Sequence, residues 1–135
     1  MRLWAVAAIA AALLSGGCGV TAGDLFIVTR TGSGPHARLT LLVNEEGIAH
    51  CNGGPPLRIS DPQLVQARAI QEELAGPASS GLSLPPRPGS VLSYSVRDEN
   101  GTVRFSDNSA GQPHVLHELS LFVLQVAQQV CGLPE

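Results

Sequence analysis

The chain is expected to fold as an α+β domain: an antiparallel sheet of hairpins with two helices on one face, in the order β-ββ-α-ββ-α. Three observations lead there. Two stretches alternate apolar and polar residues and double back across glycine-containing turns, NEEG at 44–47 and DENG at 98–101. Two others repeat apolar residues every three to four positions, one beginning at Ser60 and one at Gln112. Finally, 135 residues with 44% apolar content suit one folded domain and are too few for two ordinary cores.

Residues 24–30 (DLFIVTR) are rich in Phe, Ile and Val and open the domain as a strand. The next segment, 31–36 (TGSGPH), is a loop, broken by two Gly and a Pro. Residues 38–43 place Leu39, Leu41 and Val43 on one face, and 48–51 return as the hairpin partner. The run 52–57 (NGGPPL) cannot continue a ladder, because two prolines remove backbone donors.

Ser60 with Gln63 three residues on, and Pro62 in the first turn, marks a helix start. Leu64, Ala67, Ile70 and Leu74 follow at helical spacing, and Gly76-Pro77 is expected to end the helix. Residues 77–89 (PASSGLSLPPRPG) form the longest irregular stretch. A second hairpin joins 90–97, with Leu92, Tyr94 and Val96 on one face, to 102–107. The last helix carries Leu119, Phe122, Val126 and Val130, with Leu121 and Leu124 widening the stripe, Cys131 on its last turn and Gly132 ending it. The two halves, each a hairpin followed by a helix, have similar turn sequences, as a distant internal repeat or a chance match would.

The first 17 residues read as a signal peptide: Arg2, then an unbroken apolar run from Leu3 to Leu14, then Ser15-Gly16-Gly17. That run is too short to span a membrane. Ser-Gly-Gly-Cys is similar to a bacterial lipobox, with Cys18 as the residue that is acylated, although Ser15 stands where a Leu is usual. The alternative is release by cleavage after Ala22. Residues 18–23 are then a tether and 24–135 the domain. In an oxidising compartment Cys51 and Cys131 are expected to pair, and lipid attachment would consume the odd Cys18.

The chain has eight Arg, no Lys and a formal charge of −3, with 14% charged residues, which excludes the basic footprint of a nucleic-acid binder. No GxSxG elbow or glycine-rich phosphate loop occurs. The pairs Glu45-Glu46 and Glu72-Glu73 fall in a turn and on a polar helix face, where solvated charge explains them. His114 and His117 could share a helix face near His50, but His117-Glu118 is followed by Leu121 where a zincin would need His. The reading is therefore not an enzyme, with no catalytic residue, no metal site and no cofactor. An exported, lipid-anchored cell-envelope protein with a binding or structural role remains.

The runs DLFIVTRTG, ARLTLLVNEEG with CNGGPP, and GSVLSYSVRDENGTVRFSDNSAGQP resemble a family of small actinobacterial secreted or lipid-anchored proteins without an assigned activity. That resemblance implies an envelope location, with the membrane itself and an unknown envelope component as partners, and the Cys51–Cys131 pair. A looser likeness is to secreted protease inhibitors of the subtilisin-inhibitor type. It would make 77–89 a partner loop, with Leu82, Leu84 and Arg87 as candidates for a protease pocket. Those inhibitors brace this loop with cysteines, and here none is present.

Overall fold

A computed structural model describes residues 20, 21 and 23–134. The fold is α+β, with six antiparallel strands in the order β4-β3-β2-β1-β5-β6. The strands are β1 (Asp24–Gly32), β2 (Leu39–Asn44), β3 (Ile48–Cys51), β4 (Leu57–Arg58), β5 (Leu92–Arg97) and β6 (Thr102–Ser106). The helices are α1 (Asp61–Ser79) and α2 (His114–Gln129). β1 lies inside the sheet, with the β2–β3 hairpin on one side and the β5–β6 hairpin on the other.

Register explains which face is buried. Val28 of β1 pairs with Leu41 and Val96, Phe26 with Val43, and Tyr94 with Phe105, so these side chains share one face. All are buried, and the helices cover them; Phe26 meets Phe122 of α2 edge-on at 5.9 Å. The opposite parity places Thr29, Thr40, Ser95 and Arg104 on the other face, which is left to solvent. One β-bulge near the start of β1 lets both Leu25 and Phe26 be buried.

The capping box at the start of α1 is formed: the Gln63 amide donates to Ser60 Oγ at 3.2 Å, and the Ser60 amide donates to Gln63 Oε1 at 2.9 Å. Ala67, Ile70 and Leu74 face the core as their spacing requires. Gln63 is buried as well, and its amide donates to Gln129 Oε1 of α2.

Four details depart from the sequence expectations. α1 does not stop at Gly76-Pro77 but runs to Ser79. Pro77 removes only one ladder bond there, and Gly76 has no Cβ to meet the proline ring, so the usual penalty is relieved. The segment after the two prolines does rejoin the sheet: Leu57 pairs with Ala49 and Arg58 with Ile48, once Asn52 and Gly53 at positive φ have reversed the chain. Leu121 and Leu124 do not widen the buried stripe of α2; they are 52% and 44% exposed, and Val115, Leu116, Val123 and Ala127 extend it on the other side. Cys131 lies two residues past the end of α2 rather than on its last turn. Its amide still bonds Val126 O at 2.9 Å, and Gly132 at positive φ turns the chain so that the Leu133 amide reaches Ala127 O.

Cys51 and Cys131 form a disulfide, 80 positions apart in the sequence. Cys51 pairs with Leu41, so it points to the helix-covered face, where it ties the end of α2 to the sheet. No helix among the described residues is long and apolar enough to cross a membrane.

Candidate binding site

The inward parity of β1 runs Phe26, Val28, Arg30, so the last of these is a cation carried onto the buried face. Arg30 stands between Leu39 and Tyr94 on its neighbouring strands and is only 6% exposed. Its Nε donates to Ala37 O at 2.8 Å and its Nη2 to His36 O at 3.2 Å. These bonds fold the β1–β2 loop back over the end of the sheet, and the Ala37 amide closes the loop on Gly34 O at 3.3 Å.

The folded loop forms one wall of a cavity of about 430 Å³. The start of β5, at Val91 and Leu92, and Leu124 of α2 supply others, with Pro134 beyond the helix. Gly32 allows the walls to close: a Cβ there would collide with Val91 O, and would lie 2.9 Å from Ala37 Cβ and from a Leu92 methyl. The lining is mostly apolar, and Val91 is 56% exposed at the rim.

Tyr94 continues the buried face beside Arg30 and stacks on Phe105 with ring centroids 4.9 Å apart. Burial pushes its phenol above the usual tyrosine range, against the opposing pull of Arg30 and a hydrogen bond with Ser120. Asp107 sits nearer the surface. Its burial would raise its carboxyl, but bonds from Ser90 Oγ and from the Val91, Leu92 and Asn108 amides outweigh that and hold it below the ordinary aspartate value. Asp107 thereby fixes the start of β5, and with it the Val91 wall.

The structure brings only some of the sequence candidates together. Cys51 and Cys131 meet; Cys18 and the alternative cleavage residue Ala22 lie outside the described residues. In the candidate partner loop, Leu82 and Leu84 are half-buried against the core, and only Arg87 is exposed. That loop is not free. Ser83 bridges Arg104, and Asn108 clamps the chain by accepting from the Arg87 amide at 2.9 Å and donating to Arg87 O and Pro88 O. Ser109 Oγ donates to Pro85 O at 2.9 Å. Two polar side chains just after β6 thus hold this segment in place.

The histidines do not converge. Cys51 points to the helices, so His50, its neighbour in the strand, points away from them, where its Nδ1 bonds Gly54 O. His114 pairs with Glu118 at 3.2 Å on the exposed start of α2. No group of three or more His, Cys, Asp or Glu side chains among the described residues could hold a metal ion.

Arg30 is not among the candidates that the sequence motifs mark. The signal was available, since a charged residue two positions after Phe26 and Val28 in an alternating strand falls on the core side. The chain matches no protein-family model, no curated protein and no solved structure.

Proposed function

We propose that this chain is exported, is held at the outer side of a membrane by a lipid on Cys18, and acts there as a non-catalytic binding protein. One observation carries most weight. Cys51 and Cys131 take each other as partners, which leaves Cys18, directly after the small residues of a signal-like segment, as the thiol available for acylation. A disulfide closing so long a loop suits a domain that persists in an oxidising compartment. The cavity beside Arg30 is the feature best shaped for recognition: it is concave, mostly apolar, and carries one buried charge.

Labelling with radioactive fatty acid in the producing cell tests the anchor. Label on the wild type that disappears in Cys18→Ser is the expected result. An unlabelled protein recovered from the medium with its N-terminus at Gly23 would overturn it in favour of free secretion.

A second reading, inhibition of an extracellular serine protease, draws on the clamped segment at 85–88. A protease-binding loop gains affinity from being held in one conformation beforehand, and Asn108 and Ser109 do this here. Pro88 directly after Arg87 counts against a substrate-like bond at that position. Tight inhibition of a subtilisin-type protease, lost on deletion of 79–88, would favour this reading over the first.

A further inference from the structure

We infer that the cavity beside Arg30 takes a small aliphatic carboxylate, its head on the Arg30 guanidinium and its tail between the β5 wall and Leu124. This rests on the reading of the chain as a binding protein and assigns that site a ligand class.

A guanidinium has five N–H donors, and Arg30 spends two of them on neutral carbonyls, Ala37 O and His36 O. No carboxylate of the described residues forms an ion pair with it. Asp107, which shares the surroundings of Tyr94 with Arg30, has its oxygens engaged by Ser90 Oγ and the Val91 amide. A cation this buried ordinarily has a counter-charge. No buried side-chain nitrogen or oxygen among the described residues is sealed away without a partner. Nη1 of Arg30, which has no protein partner, therefore keeps some accessibility, and Arg30 lines the cavity.

Shape and polarity then narrow the occupant. The volume of about 430 Å³ falls within the usual range for small ligands, roughly 300–1,000 Å³. Besides Arg30, the lining side chains with polar groups are Ser33 and His36, both exposed. The charge lies at the buried end, while Val91 and Leu124 stand at the open end, half in solvent. A peptide would leave its backbone N–H and C=O groups against apolar walls. A carboxylate matches the planar fork of a guanidinium and leaves one hydrocarbon tail for those walls.

The test is calorimetric titration of the full chain in phospholipid nanodiscs, with empty nanodiscs as the blank, using decanoate and then decanol. Decanoate is expected to bind saturably at one site, and decanol about tenfold or more weaker, the worth of a charge-assisted bond. Arg30→Met should bring decanoate down to the level of decanol. Leu124→Glu, at an exposed helix position, should weaken decanoate by placing a like charge on the wall. Equal binding of acid and alcohol, or decanoate binding indifferent to Leu124→Glu, overturns the inference. Both outcomes remain decisive if Arg30→Met does not fold. No saturable decanoate binding by a chain labelled at Cys18 overturns the ligand and leaves the anchored reading standing. Decanoate binding by an unlabelled chain does the reverse.

Discussion

Replacing both Cys51 and Cys131 by Ala is expected to lower the melting temperature steeply while leaving the native fold in place. The bond joins positions 80 apart, and in the chain-entropy treatment a loop of that length is worth about 4.5 kcal/mol at 25 °C. Unfolding entropy near 2.1 cal/mol/K per residue, over a domain of about 110 residues, gives roughly 230 cal/mol/K. The quotient is a loss of about 20 °C. The effect lies in the unfolded chain, because α2 is held without the bond: Leu116, Leu119, Phe122 and Val126 are fully buried, and Gln129 is bonded to Gln63. Far-ultraviolet circular dichroism of the variant at 20 °C should therefore match the wild type. Its urea m-value should rise, since a chain without the cross-link exposes more surface on unfolding. A loss of less than about 5 °C with an unchanged m-value would refute the entropic argument. Loss of helicity at 20 °C would show instead that the bond acts by holding α2 in the native state.

Three further outcomes follow from the structure. Gly101→Ala should cost more than about 2 kcal/mol in urea denaturation, because its φ is +154° and a Cβ there would collide with Ala78 O at the end of α1. Asn108→Ala should speed hydrogen exchange at the Arg87 amide and cost about 1–2 kcal/mol, since that amide donates to Asn108 Oδ1. Tyr94 is the only tyrosine, so phenolate absorbance reads it directly. Its burial raises its folded value above 10.0, so it contributes stability below pH 10 that is lost as pH rises through the folded value. Tyr94→Phe should therefore resist alkaline unfolding better than the wild type, and a phenolate titration at the free-tyrosine position would contradict this.

Much of the fold was legible because short-range physics decides it. Alternation in 38–43 and 90–97 selects the buried face, since successive strand residues must point to opposite sides. The capping box at Ser60 and Gln63 involves only neighbours, so it could be read from four letters. Cys51 and Cys131 could be paired by counting, given an oxidising compartment. The ends of elements were harder. Whether α1 stops at Pro77 depends on one lost bond against the continued packing of Ala78, which is buried in the core. That balance has no local signature.

The candidate site divides along the same line. The sequence alone determined that Arg30 sits at the inward parity of a strand. It also determined that the loop after it is rich in Gly and Pro. Tertiary structure alone decided that Arg30 would find carbonyls rather than a carboxylate, and that Leu124 would turn outward to wall a cavity. It also decided that Asn108 would clamp a segment 20 residues away. A polar side chain's partner is set by which elements the sheet order brings together. In the order β4-β3-β2-β1-β5-β6, the start of β5 lies against the end of β1, a juxtaposition that no local pattern encodes.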